Sequence, residues 1–265
     1  MRLCSIASGS SGNCTYVGSD ATHLLIDVGI SGKRIEAGLQ ELGLTGAEVD
    51  GILITHEHSD HIAGLGVFCR KYDVPIYATK GTIQAILHSG GKNTPDAALF
   101  QEIQADKKLT IKDLTVSPMR ISHDAAEPVA YRIGYEGKRV GICTDLGVYN
   151  DYTVECLKGL DAILLEANHD VNMLQVGPYP YYLKQRILGD KGHLSNENSG
   201  RLINRILHDR LKTVVLGHLS KENNLPQLAY EAVRLEITLG EGPYKADDFP
   251  IQVAKRSEIS PVIEV

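Results

Sequence analysis

Three histidines and an aspartate crowd into one short stretch of the chain, THEHSDH at residues 55–61. Imidazole and carboxylate groups are the usual protein ligands of zinc and manganese ions. His56 and His58 are two residues apart, so an extended backbone points both side chains the same way. Asp60 and His61 follow in the next turn and can face a second point nearby. The spacing therefore predicts a metal-binding motif, although Asp60 could instead cap the helix that follows.

Predicted strands and helices hold this motif and three further candidate ligands. Residues 51–54, GILI, predict a buried strand before the motif, and the apolar periodicity of 60–71 predicts a helix after it. His123, Asp145 and His218 each follow an apolar strand, where loops of layered α/β proteins carry function. Any one of them could instead cap an element or pack in the core. Together with the motif, they extend the predicted metal site.

The rest of the sequence predicts a mixed α/β chain. Strands are predicted at 2–6, 14–18, 23–27, 51–55, 75–78, 114–121, 129–135, 138–143, 161–166 and 213–217. Helices are predicted at 33–43, 60–71, 80–90, 150–158, 196–209 and 223–239. Because no repeat or linker interrupts this pattern, residues 1–265 are predicted to form a single domain, in which 240–265 is a tail that could add an edge strand.

The composition is that of a globular protein with reduced cysteines. Apolar residues make up 43% of the chain and charged residues 23%, which excludes a largely disordered protein. The five cysteines are odd in number and form no C-x-x-C pair, so neither a disulfide framework nor a cysteine metal site is expected. No apolar run approaches the ~20 residues of a membrane helix, and the first residues lack a signal-peptide pattern. We therefore expect a cytoplasmic protein with no membrane partner.

The order of the candidate ligands resembles the metallo-β-lactamase superfamily, in which H-x-H-x-D-H is followed by His, Asp and His. The resemblance covers residues 1 to about 239. It implies an α/β fold, the αββα four-layer sandwich of two mixed β-sheets flanked by helices. It also implies two divalent transition ions, zinc or manganese, with these ligands: His56, His58 and His123 on one ion, Asp60, His61 and His218 on the other, and Asp145 bridging both. Secreted β-lactam hydrolases of the superfamily typically carry cysteine at the bridging position, which argues against antibiotic hydrolysis here.

Further segments resemble the YycJ/WalJ subgroup and so imply a bacterial DNA exonuclease. They are ASGSSGN (7–13), HDAAEPVAY (123–131), LLEANHD (164–170), GPYPYYLKQRILGDKGHLSNE (177–197) and GHLSKENN (217–224). In the related tRNA 3′-processing endonucleases, a histidine of an H-x-S motif and an earlier glutamate protonate the leaving oxygen. That resemblance implies that His193 is the general acid and Glu166 its partner, with Asp60 also among the catalytic residues. His193 could otherwise simply start a helix, and Glu166 could be a buried structural acid.

Two segments are predicted to contact the phosphates of a substrate. In the loop SGSSGN after the first strand, glycines let backbone N–H groups approach an anion, and Ser10, Ser11 and Asn13 add side-chain donors. Lys184 and Arg186 lie beside tyrosines, a mixture that suits a nucleic-acid groove. A tight hairpin loop and a packed helix would explain the same residues.

The charge distribution favours a polyanionic substrate. The net charge is −6, yet residues 180–221 hold eight basic and three acidic residues, although a solvated helix face would look the same. We therefore expect a dinuclear phosphodiesterase or nuclease, specifically a 5′→3′ exonuclease with DNA favoured over RNA, in which a metal-bridging hydroxide attacks phosphorus. The alternatives are a small-molecule metallohydrolase acting on a cyclic phosphodiester, thioester or lactone, and a regulatory protein whose metals are structural.

Overall fold

A computed structural model describes residues 1–90 and 93–265 of the chain. The strands are β1 (Arg2–Ala7), β2 (Cys14–Gly18), β3 (His23–Ile26), β4 (Gly51–Leu53), β5 (Ile76–Thr79), β6 (Phe100–Ile103), β7 (Leu109–Ile111), β8 (Leu114–Arg120), β9 (Val129–Tyr135), β10 (Lys138–Cys143), β11 (Ala162–Glu166), β12 (Thr213–Gly217), β13 (Ile251–Val253) and β14 (Ile263–Glu264). The helices are α1 (Gly32–Glu41), α2 (Ser59–Ile62), α3 (Leu65–Tyr72), α4 (Lys80–Ser89), α5 (Asp151–Leu157), α6 (Val171–Val176), α7 (Tyr181–Leu188), α8 (Asn196–Ile206) and α9 (Pro226–Leu239). Short 3-10 turns cover Gly46–Glu48, Ala97–Leu99 and Ala246–Asp248.

The chain divides into two compact units, each assembled from separate stretches of sequence. Unit 1 consists of Met1–Arg120, Ala125–Gly137 and Lys255–Glu264. Unit 2 consists of Ile121–Asp124, Lys138–Ala254 and the terminal Val265. The single-domain organisation predicted from the sequence stays a prediction.

Unit 1 is built on a mixed sheet with the strand order β14-β1-β2-β3-β4-β5-β6. The pairs from β14 to β3 are antiparallel, and the pairs from β3 to β6 are parallel. Strands β7, β8 and β9 of the same unit pair as antiparallel neighbours. Apolar side chains of the sheet and its helices, such as Leu25, Ile52 and Phe68, form one buried cluster. The loops after β3 and β4 leave the same edge of this sheet, since parallel strands end on one side.

Unit 2 is built on four parallel strands in the order β10-β11-β12-β13. The near-continuous apolar sequences of β11 and β12 fit strands that are buried on both faces. Asp145 follows β10, Glu166 is the last residue of β11, and His218 follows β12. The parallel register therefore brings three polar side chains from distant parts of the chain to one edge.

Every strand and helix predicted from the sequence is present, with one helix divided in two. The predicted helix 60–71 is interrupted at Gly64, whose N–H donates to Val28 O in the loop after β3 instead of to the preceding helical turn. Glycine is needed there because a Cβ atom would approach Ile30 O to 2.0 Å. The sequence reasoning missed β6 and β7 as well as α6 and α7. The tail adds β13 and β14, each at the end of a sheet order. None of the five cysteines, all of which lie among the described residues, forms a disulfide.

Across residues 1–90 and 93–265, no helix is both long enough and apolar enough to cross a bilayer.

Candidate metal centre

The H-x-H-x-D-H motif of unit 1 lies in the tight connection between β4 and α2. His58 is the N-cap residue of α2, with extended backbone angles, and Asp60 and His61 belong to the helix itself. The His56 ring centroid is 4.5 Å from that of His58 and 4.1 Å from that of His61. Asp60 Oδ2 lies 3.4 Å from His61 Nε2. The four side chains predicted as ligands are therefore grouped by local structure alone.

Asp27, which the sequence reasoning missed, orients this group from the end of β3. Its Oδ2 lies 2.8 Å from His61 Nδ1 and accepts a hydrogen bond from the Thr55 hydroxyl at 2.8 Å. Because a carboxylate only accepts, His61 Nδ1 must carry a proton, which leaves Nε2 as the ligand atom. The Thr55 hydroxyl proton is used on Asp27, so the 3.0 Å contact with His56 Nδ1 makes that nitrogen a donor too.

Asn13, predicted as a phosphate contact, is buried beside the motif. Its amide nitrogen is 3.1 Å from His61 Nε2 and 3.4 Å from Asp60 Oδ2, and its oxygen accepts the Gly9 N–H at 2.9 Å. The backbone N–H of Asn13 donates to Asp60 O at 2.8 Å. Asn13 therefore holds the SGSSGN loop onto the start of α2, and an ion at His61 Nε2 would have to displace its amide.

The second group of candidate ligands lies in unit 2, around Asp145. Its Oδ1 is 3.7 Å from His123 Nε2 and 3.5 Å from His218 Nε2. His123 Nδ1 donates to Gly192 O at 3.1 Å, so its Nε2 is again the atom presented toward Asp145. Asp145 and His218 both adopt left-handed backbone angles, with φ of 59° and 55°, which is uncommon outside glycine. Asn168 Nδ2 donates to His218 O at 3.0 Å and so stabilises one of these positions.

Glu166 connects this group to His193. Its Oε1 accepts from His193 Nδ1 at 2.8 Å and from His218 Nδ1 at 2.9 Å. Its Oε2 accepts the backbone N–H groups of Leu146 and Leu194. Burial alone would raise the pKa of Glu166, but the two imidazoles outweigh it and hold the pKa well below the usual range. The buried carboxylate is therefore ionised and fully hydrogen-bonded, and it fixes two histidines at once.

His193 is the most accessible member of the unit 2 group. Its side chain is 18% exposed, whereas Glu166 is fully buried. Burial would lower the pKa of His193, but the charge and hydrogen bond of Glu166 and the charge of Asp145 raise it above the ordinary value. By contrast, burial lowers the pKa of His123 and favours the neutral ring that a metal ligand needs. The raised pKa suits His193 to donating a proton, and the lowered pKa suits His123 to binding a metal ion.

The donor atoms fit divalent transition ions. Ligand atoms at ~2.0–2.2 Å from one ion are ~3–4 Å apart. The distances around Asp145 and between Asp60 and His61 fall in that range. One possible ligand atom from each of Asp145, Glu166, His193 and His218 lies within 4.8 Å of the others. Imidazole and carboxylate donors of this kind suit zinc or manganese.

Comparison with known proteins identifies the family. A family model described as the β-lactamase superfamily domain matches residues 22–218. The chain belongs to the β-lactamase superfamily. It is 44% identical over 228 residues to a Bacillus anthracis protein named exodeoxyribonuclease YycJ, with 86% of each chain covered. It is 40% identical over 263 residues to exodeoxyribonuclease WalJ of Streptococcus pneumoniae strain D39, covering 98% of this chain and 96% of that protein.

A solved structure shares the fold of this chain. The metallo-β-lactamase fold protein YhfI from Bacillus subtilis superposes with a TM-score of 0.69 at 19% identity, over 98% of each chain. That likeness confirms the predicted α/β metallo-β-lactamase fold class. The identities to YycJ and WalJ confirm the subgroup inferred from the sequence.

Two of the predicted substrate contacts of this superfamily member, Lys184 and Arg186, already have partners within the protein. Arg186 is ion-paired with Asp124, the residue after His123, and Lys184 Nζ donates to Gln175 O at 2.7 Å. Ser10 and Ser11 are exposed in the SGSSGN loop. None of these contacts tests a role in substrate binding, so that role stays a prediction.

Proposed function

We propose that this chain is a DNA exonuclease of 5′→3′ polarity that hydrolyses phosphodiester bonds with two divalent transition ions, zinc or manganese. Membership of the superfamily and of the YycJ/WalJ subgroup makes the chain a metal-dependent hydrolase. The observation that carries the proposal is the His193–Glu166 pair beside Asp145. A structural metal site has no use for a histidine held beside the ligands by a buried carboxylate that raises its pKa, so this pair favours catalysis over a regulatory metal-binding role.

We assign the ions to seven residues, as the superfamily resemblance implies. They are His56, His58 and His123 for one ion, Asp60, His61 and His218 for the other, and Asp145 for both. The tautomers support this assignment, because Nδ1 of each of four histidines donates to a protein acceptor and leaves Nε2 for a metal. Bound ions of this kind activate water and neutralise the charge of a phosphodiester.

His193 supplies the proton that the leaving sugar oxygen needs. Its Nδ1 is held by Glu166, so Nε2 is the atom that donates to substrate. Glu166 acts as a positioning residue: its buried charge raises the pKa of His193, and its second hydrogen bond orients His218. Removing Glu166 would therefore disturb both proton donation and metal binding.

Unit 2 offers contacts that suit a polynucleotide. The segment that ends at His193 includes α7, whose Tyr181 and Tyr182 are 77% and 74% exposed. The backbone N–H of His193 donates to Ile187 O in α7. Exposed aromatic rings can stack with bases, and Lys184 on the same helix adds a cation for the phosphates. Because α7 is hydrogen-bonded to the proposed general acid, a strand stacked there would lead toward the site of hydrolysis.

The proposal is tested with end-labelled duplex DNA, single-stranded DNA and RNA, each incubated with the manganese- or zinc-loaded protein. We expect 5′-labelled DNA to release short labelled products first, with RNA degraded more slowly. A chelator should abolish the reaction. Intact DNA in every reaction, combined with rapid hydrolysis of a small cyclic phosphodiester, thioester or lactone, would replace the nuclease with a small-molecule hydrolase.

A further inference from the structure

Unit 2 carries a pocket at the sheet edge opposite its candidate metal ligands. The pocket has a volume of about 550 Å³, and its lining includes Gly159 and Arg210. Gly159 precedes β11, Arg210 precedes β12, and Arg139 lies at the start of β10. These three strands are parallel neighbours, so their starts share one edge while Asp145 and the other ligands lie beyond their ends.

Two guanidinium groups converge over the backbone of Gly159. A methyl group placed on Gly159 would lie 3.5 Å from Arg139 Nη1 and 4.0 Å from Arg210 Nη2. The two nitrogen atoms are therefore no further apart than the sum of those distances. A tetrahedral phosphate can bridge two donors up to about 8 Å apart, because each hydrogen bond to a separate oxygen spans ~2.8 Å. Gly159 has a φ of 74°, which glycine adopts without strain, and its missing side chain keeps the space open.

Neither guanidinium has an acidic partner within the part of the chain that the structure describes. Their hydrogen bonds there involve backbone atoms: the N–H groups of Arg139 and Arg210 donate to Asp161 and His208, and Arg139 O accepts the Asp161 N–H. Placing two cations together without a counter-ion is unfavourable, and an anion between them would remove that cost. The geometry thus indicates a ligand with negative charge.

Other charged groups around the pocket are already engaged. Lys158 pairs with Glu155, and Arg205 Nη2 is 2.7 Å from Asp151 Oδ1. Asp209, the acid in the lining, accepts the Tyr244 hydroxyl at 2.7 Å. The two unpaired arginines therefore remain as the donors for an incoming ligand.

We propose that Arg139 and Arg210 form a phosphate-binding site distinct from the metal centre. Strands of five and six residues separate the two edges, which at ~3.3 Å per residue is ~17–20 Å. One phosphate group cannot reach both places. A polynucleotide can, since each strand of a duplex advances ~3.4 Å along the helix axis per nucleotide, so about six nucleotides cover the distance. A small phosphorylated compound would fill the same site alone, and the site does not depend on the proposed nuclease activity.

The test compares metal-loaded wild type with the double variant Arg139→Gln/Arg210→Gln. The matched control is Lys33→Gln/Arg70→Gln, which removes two positive charges from exposed positions in unit 1 instead. Inorganic phosphate should raise the melting temperature of wild type and control more than that of the double variant, because ligand binding to the folded state stabilises it. Phosphate bound at the metal centre contributes equally to all three proteins. Titration calorimetry should show phosphate affinity for this site at least about tenfold weaker in the double variant.

Phosphorothioate oligothymidylates of four and twelve nucleotides, which resist hydrolysis, distinguish the two sources of phosphate. Weaker binding of the twelve-mer but not of the four-mer by the double variant assigns the site to a polynucleotide backbone. Unchanged binding of both, with phosphate affinity still lost, assigns it to a small phosphorylated compound. Identical phosphate responses in wild type and double variant overturn the proposal. If the double variant melts much lower without ligand, the single variant Arg210→Gln at the exposed position takes its place in the same comparison.

Discussion

Replacing His193 by alanine should slow DNA hydrolysis without emptying the metal centre. The side chain contributes a proton donor held 2.8 Å from Glu166 Oε1, and it is not among the seven proposed ligands. Its removal leaves Glu166 satisfied, because Oε1 still accepts from His218 and Oε2 still accepts two backbone N–H groups. No buried charge loses its last partner, so the fold and the metal content should persist.

The size of the loss follows from the role. General acid catalysis contributes ~10²–10⁴-fold to a rate, equal to about 3–5 kcal/mol of transition-state stabilisation. The loss should reach this range for a sugar oxygen, which leaves poorly without a proton. It should be much smaller for a nitrophenyl phosphodiester, whose leaving group needs no proton.

The assay measures turnover of wild type, His193→Ala and the control His88→Ala with both substrates, alongside metal content. His88 is an exposed histidine of α4, so its removal should change neither rate. Equal losses on the natural and the activated substrate would refute proton donation by His193. Loss of metal from His193→Ala would instead make it a ligand.

Three further variants test the orienting and binding residues. Glu166→Gln should move the basic limb of the turnover–pH profile to lower pH. The Glu166 charge raises the pKa of His193 against the lowering effect of burial, so without that charge His193 loses its proton at lower pH. A basic limb at the same pH in wild type and variant would contradict this role. Asp27→Asn should weaken metal affinity ~10–100-fold, measured in competition with a chromogenic chelator, because the carboxylate that holds the proposed ligand His61 is lost. Unchanged affinity would show that Asp27 does not orient His61 for metal binding. Lys184→Gln should reduce the slope of log binding constant against log salt concentration for single-stranded DNA by about 0.7, and the control Lys33→Gln should not. Equal slopes for wild type and Lys184→Gln would show that Lys184 does not contact the DNA phosphates.

His123, Asp145 and His218 were proposed as ligands because each follows an apolar run in the sequence, and the structure shows that these runs form strands β8, β10 and β12. Asp27 ends the run LLID in the same way, yet it was missed. Its partner His61 is 34 residues away, and no local pattern distinguishes an acid that orients a histidine from an ordinary turn residue. Hydrogen bonds that orient a ligand from a distant part of the chain become visible only in the tertiary structure.

The distribution of charge along the sequence did not predict which basic side chains are left without an acidic partner in the structure. Arg201 and Arg205 belong to the basic strip of residues 180–221, but the structure pairs them with Glu236 and Asp151, which lie 35 and 54 residues away. Arg139 lies outside that strip and yet meets Arg210 over one glycine. Net charge along the chain therefore says little about which cations remain without a counter-ion after folding.

The number of metal ions bound per chain tests the central claim most directly. Elemental analysis of protein reconstituted with zinc or manganese should approach two equivalents, and Asp145→Ala should lower that number because the variant loses the proposed shared ligand. One equivalent at saturating metal, unaffected by Asp145→Ala, would contradict the dinuclear centre on which the proposed mechanism rests.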